Sequence, residues 1–185
     1  MEILPFVLIV LFYLLEAFFS GSEIAIVAAS RIKLRQKAEM GHHGSRLVER
    51  MMERPENVLS TTLVGTNLAV VANTMIVTMM LKGVFPQRGE LYTLLIMAPV
   101  LWLFGEIIPK SVFQQKANII APRVIYGLWF ASRIFYPVVW ILTRISKILL
   151  RLLGADAETG GPFVTRQEPE KKPDRKRRNP IRRHC

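Results

Sequence analysis

Three long apolar runs each carry oxygen-bearing side chains where a lipid-facing helix would have none. Ser20, Gly21, Ser22 and Glu23 interrupt the first, Thr66, Asn67, Asn73 and Thr74 sit in the second, and Gly105, Glu106, Pro109 and Lys110 end the third. Polar and charged groups are costly in a bilayer, so they face a protein interior or a water-filled path. Hydroxyls (Ser20, Ser22, Thr66), amides (Asn67, Asn73) and carboxylates (Glu23, Glu106) form the donor set that hard cations such as magnesium prefer. Gly21 and Gly105 can expose backbone carbonyls where a helix unwinds, a recurring way to build ion sites at membrane depth. Pro109 has no N–H and loosens the turn that holds Glu106. No thiolate or histidine lies in the runs, which disfavours a softer metal.

The elements that must position these groups follow from run length. Spans are expected over about 3–29, 58–81 and 91–113, each near the ~20 residues that cross a bilayer. The start lacks Lys, Arg and an A-x-A-like site, so the first run reads as a retained helix rather than a signal peptide. Its small residues Ala17, Gly21, Ala25 and Ala29 recur every fourth position, a ladder that admits a neighbouring helix or a second copy. Thr66 and Asn73 share one face of the second span, and Asn67 and Thr74 another. Residues 31–57 read as a polar helical hairpin turning at Gly41–Gly44. It carries seven Lys/Arg against four Glu, and His42 and His43 lie in a solvated turn.

Over 122–153 the chain is apolar, but Arg123, Arg133, Arg144, Lys147 and Arg151 fall on one side of a helix. A basic stripe opposite Trp, Phe and Leu predicts a helix lying in the membrane interface, where anionic lipid is its partner. The early positive charge places the hairpin in the cytoplasm and the N-terminus outside. A fourth span would export the tail, so three spans and a cytoplasmic C-terminus are expected. Residues 154–165 read as a linker and 166–185 as a basic disordered tail. The tail has nine Lys/Arg against three Asp/Glu, more than half of the net charge of +11, so the high pI does not point to nucleic acid. Cys185, the lone cysteine, offers neither a disulfide nor a metal cluster. The expected fold is an all-α membrane protein: three transmembrane helices, a cytoplasmic hairpin and a juxtamembrane interfacial helix.

Each polar residue also has a structural explanation. Ser and Thr in membrane helices bond to their own backbone. Asn67 can tie two helices together, and Glu106 and Lys110, four apart, can neutralise each other. Glu106, beside glycine and proline at a span's end, is the strongest functional candidate. Glu16 and Glu23 fit an interface, a cavity or a dimer contact.

The strings Phe19-Ser20-Gly21-Ser22-Glu23-Ile24-Ala25, Ser30-Arg31, Gly65-Thr66-Asn67-Leu68 and Gly105-Glu106-Ile107-Ile108-Pro109-Lys110-Ser111, in this order and spacing, resemble the membrane domain of the CNNM/CorC family of magnesium transport proteins. The resemblance covers about residues 1–166, with 1–153 as the transmembrane domain. It implies a plasma-membrane homodimer that exports magnesium coupled to sodium entry, with a dehydrated ion held by oxygens. Carried onto this chain, Ser20, Asn67 and Glu106 are the first candidate ligands and Gly105 adds a carbonyl. Ser22, Glu23, Thr66 and Asn73 come second, and Lys110 with Pro109 neutralises or gates. Family members continue into cytoplasmic CBS domains. Here family-like text stops near Arg166 and the basic tail follows, which reads as a truncation or an altered reading frame. The main competitor is a non-transporting scaffold or regulator held to lipid by its basic segments. A pore-forming protein has no physical support, and an enzyme lacks a nucleophile–base pair.

Overall fold

The computed structural model describes residues 3–152, and the expected linker and basic tail lie outside the described residues. The chain divides into two units, Met1–Lys147 and Ile148–Cys185; of the second, only the helical residues 148–152 are described. The described residues form helices and no strand: α1 (Leu4–Ala28), α2 (Arg31–Glu39), α3 (His43–Met52), α4 (Pro55–Val84), α5 (Gly89–Val100), a π-helical segment (Leu101–Ile107), α6 (Ile108–Gln115), α7 (Ala117–Ile134) and α8 (Tyr136–Leu152).

Three of these stretches, Leu4–Ala28, Pro55–Val84 and Gly89–Gln115, are long and apolar enough to cross a membrane. This is an all-α membrane protein with three candidate spans and further helices around them. Helix α1 is its hub, packing against α4, α6, α7 and the π segment. The small-residue ladder serves this packing within one chain. Ala25 and Ala29 are buried, and a Cβ on Gly21 would sit 2.8 Å from the Phe113 ring. Gly65 of α4 receives the Phe19 ring in the same way, at 2.6 Å. Such close approaches supply van der Waals contact where water-driven collapse is absent.

The basic hairpin forms, with its turn one step earlier than expected. Gly41 takes the left-handed conformation at φ 91°, while Gly44 is already helical and lies against the carbonyl of Pro122. A second anchor is Asn118. Its Oδ1 accepts from the Ser30 N–H at 2.8 Å, and its carbonyl accepts from Lys37 Nζ at 3.1 Å. Around these contacts Val48, Ala121, Ile125 and Leu128 are buried in a continuous apolar cluster with Phe19, Ala25 and Ile26.

Two expectations need correction. The single interfacial helix over 122–153 is two helices, α7 and α8, bent by 77°. The cause is Pro137, which has no N–H for the carbonyl of Arg133 and whose ring crowds that turn. Phe135 closes α7 and packs on Phe19 at 6.0 Å between ring centroids. Nor does α1 unwind at Gly21: it is continuous from Leu4 to Ala28. The irregular backbone is confined to the third span.

Candidate cation site

The irregularity has a local cause. Pro99 and Pro109 each lack the N–H that a helical residue bonds to a carbonyl one turn back. Between them the helix widens over Leu101–Ile107, and the Ile108 N–H reaches back five residues to the Leu103 carbonyl. Single π turns of this kind recur at functional sites because one extra residue re-aims the side chains around it. Here they re-aim Gly105 and Glu106 at α1. The Tyr13 hydroxyl donates to the Val100 carbonyl at the mouth of the segment.

Side chains Tyr13, Glu16, Ser20 and Glu23 follow one another at spacings of three and four, so they form one stripe of α1. The Glu16 carboxylate lies against Gly105. A Cβ at residue 105 would meet Glu16 Oε1, would lie 2.5 Å from its Cδ and 2.9 Å from its Oε2. Only glycine therefore permits this approach. Glu16 and Glu23 both feel the charge of Glu106, and Glu23 also that of Lys110. Lys110 Nζ bridges to Glu106 Oε1 one turn on, each side chain about two-fifths exposed. Pro109 is buried beside them.

Hydrogen bonding sorts the remaining candidates. Several hydroxyls satisfy themselves on their own helix: Thr61 on the Asn57 carbonyl at 2.7 Å, Thr62 on Leu59 at 2.9 Å, Thr78 on Thr74 at 2.7 Å. Others do not. Ser20 Oγ, Ser22 Oγ, Thr66 Oγ1, both side-chain polar atoms of Asn73 and Glu16 Oε2 are buried with no partner, as is Ser45 Oγ on α3, away from these spans. A buried polar group without a partner is costly, and in native structures such groups mark an ion, a water or a functional role. Glu16 is 2% exposed, Ser20 1% and Asn73 0%.

Of the expected residues, then, the fold brings Gly105, Glu106 and Lys110 to the α1 stripe that carries Ser20 and Glu23. It buries Asn73 and the Thr66 hydroxyl on α4 and Ser22 on α1. Asn67 is elsewhere: it is exposed on the outside of α4 and donates to the Leu63 carbonyl at 2.9 Å. Glu16 is the residue that sequence reasoning left ambiguous, although its place four before Ser20 and seven before Glu23 put it on their face. Among the described residues no group of three His, Cys, Asp or Glu side chains could by itself hold a metal. The donor set is mixed: carboxylate, hydroxyl, amide and backbone oxygen.

Residues 6–174 match the model of one family, described as the cyclin M transmembrane N-terminal domain. The chain is 26% identical to a UPF0053 protein of Haemophilus influenzae over 88% of its length and 39% of that protein's. It is 32% identical to a chloroplastic DUF21 domain-containing protein of Arabidopsis thaliana, over 83% of its length and 23% of the relative's. A third relative, 24% identical over 74% of the chain and 34% of its own length, is a polyamine export protein of Salmonella typhimurium. The chain thus spans between about a quarter and two-fifths of the length of these relatives.

Proposed function

The chain belongs to the cyclin M transmembrane N-terminal domain family, and from that membership we propose that its three spans bind magnesium and export it through the membrane, coupled to sodium entry. The observation that carries this reading is the set of buried, unpartnered oxygens on α1 and α4 beside a π turn that brings Gly105 and Glu106 to α1. Hard oxygen ligands of mixed charge suit magnesium, which asks for a near-octahedral set and keeps water where protein ligands run out. Ser20, Gly105 and Glu106 are the first ligands. Thr66, Asn73, Ser22 and Glu23 supply further oxygens as the ion moves. Lys110 neutralises Glu106 in the empty site and leaves it when the ion arrives, and Pro109 withholds a backbone donor from that turn. The magnesium ion is cargo, not a resident cofactor.

Asn67 enters through assembly. With Thr74 and Thr78 it puts polar side chains on a face of α4 that also carries exposed Val71, Met75 and Met79. A second copy covers that face in a homodimer and brings Asn67 out of lipid. Orientation follows the basic hairpin: it is cytoplasmic, the N-terminus is outside, and the chain sits in the plasma membrane. The exposed Arg123, Arg133 and Arg144 of α7 and α8 meet anionic lipid headgroups.

The test is thermal stability of the purified dimer against magnesium, followed by flux in proteoliposomes. A ligand that binds only the folded state stabilises it by RT ln(1 + [L]/Kd), about 2.7 kcal/mol at a hundred times Kd. Wild type should gain this stability and Glu106→Gln should lose it, together with magnesium efflux. No magnesium response in a folded dimer would overturn the reading in favour of a scaffold that binds lipid and moves no ion. The acids Glu16 and Glu23 strung along one stripe also suit a linear polyammonium, the cargo named for the Salmonella relative. A response to spermidine without one to magnesium would select that cargo.

A further inference from the structure

The two acids that meet the π segment are treated differently by the fold. Glu106 has Lys110. Glu16 has nothing. Its Oε2 is buried without a partner, and the Tyr13 hydroxyl on the same stripe already donates to the Val100 carbonyl. Among the described residues the helices packed on α1 offer no free cation: the buried face of α4 is apolar, Thr, Gly or Asn, that of α7 is Ala, Ile or Leu, and Lys110 of α6 is already bridged to Glu106. Ser20, one turn along the stripe, presents a second buried oxygen without a donor. A carboxylate held in a membrane interior without a partner is neutralised by a proton or completed by a cation, and a cation displaces the proton when it binds.

We propose that Glu16 is itself a cation ligand, a second acidic station on the α1 side of Gly105, and that it gives the site its preference for a doubly charged metal ion. This rests on the magnesium reading above. Charge makes the argument specific. When Lys110 leaves Glu106, Glu16 and Glu106 together present two negative charges across Gly105, which a hard dication balances. Without Glu16, Glu106 is the one acid left against Gly105, since Glu23 lies two turns further along α1, and that single charge suits a monovalent ion. The residue is therefore a determinant of selectivity as well as of affinity. The bare approach at Gly105 becomes a requirement, since any side chain there would displace the carboxylate that completes the charge.

The experiment is a titration of thermal stability with magnesium and, separately, with sodium, on the purified full chain. It compares wild type, Glu16→Gln, Glu16→Asp and Glu106→Gln. Glu16→Gln should bind magnesium roughly 10- to 100-fold more weakly while keeping its sodium response. Its metal-free stability should match or exceed wild type, because the unpaired acid is gone. Glu16→Asp keeps the charge but shortens the reach, and its magnesium midpoint should fall between the other two. If Glu16→Gln does not fold, Glu16→Asp carries the test alone: an unchanged midpoint overturns the proposal. A magnesium response lost in Glu106→Gln but intact in Glu16→Gln overturns the role of Glu16 and spares the magnesium reading. Loss of every magnesium response, wild type included, sinks both.

Discussion

Two buried regions of this bundle obey opposite rules. Where α7 meets α1 and α3, Val48, Ala121, Ile125 and Leu128 are close-packed and apolar, Asn118 at the margin is paired with Ser30 and Lys37, and a single hydroxyl, that of Ser45 on α3, is buried without a partner. Where α1 meets α4 and the π segment, Glu16, Ser20 and Asn73 are buried as deeply, yet a carboxylate oxygen, an amide and the hydroxyls of Ser20 and Thr66 all lack partners. The first region is built for stability. The second gives stability away, and chains keep such groups when something else completes them. Depth of burial therefore says little about which part of a membrane domain works; unmet hydrogen-bond capacity says more.

The sharpest way to break this contrast is to damage the apolar region and watch the site. Leu128→Ala removes a side chain with no exposed surface and should cost about 2–5 kcal/mol, the range for a large-to-small change in a packed core. Thermal unfolding in detergent measures it. Any protein that still folds should keep its magnesium response, since Leu128 lies on α7, away from the π segment. A selective loss of the response with little loss of stability would show the two regions to be one.

The converse change is to satisfy the polar region with carbon. Asn73→Leu replaces two unpartnered polar atoms with an apolar side chain of similar size. It should raise metal-free stability by about 1–2 kcal/mol, the penalty an unmet buried polar group carries, and weaken the magnesium response. The same melts that serve Leu128→Ala read both quantities. A drop in stability would mean that Asn73 holds the helices together, and the contrast would then fail at that residue.

Much of this arrangement is legible in the chain. Run lengths mark the three spans, and the pair Pro99 and Pro109 brackets the turn that carries Gly105 and Glu106. What the sequence leaves open is which faces meet. Thr66 and Asn73 lie on one side of α4 and Asn67 and Thr74 on another, and spacing alone ranks neither. The clue is Gly65 and Ala69, small residues that let α1 come close and so turn Asn73 inward. Glu16 is harder, because its importance comes from contact with Gly105, nearly ninety positions away. The break between α7 and α8 is written in Pro137, but the continuous basic stripe conceals it.

A third region supplies the smallest effect and shows why exposure matters to the contrast. On α7 and α8 the guanidinium of Arg133 lies 5.7 Å from the Trp129 ring centre and that of Arg144 lies 5.3 Å from that of Trp140. These charges are exposed, so solvent and headgroups meet their needs and no unmet capacity accumulates. Each exposed cation–π pair is worth only about 0.5–1 kcal/mol, and attraction to an anionic surface adds about 1 kcal/mol per residue. Arg133→Gln with Arg144→Gln should therefore leave magnesium binding intact. It should reduce, by that modest amount, the extra stability the protein gains in nanodiscs with anionic lipid over zwitterionic ones. Equal stability of wild type in both nanodiscs would remove lipid as the partner of these arginines. A large loss of magnesium binding instead would mean that the α7–α8 bend reaches the site through Phe135 and Phe19, and that packing at the rim of the bundle sets the geometry of its centre.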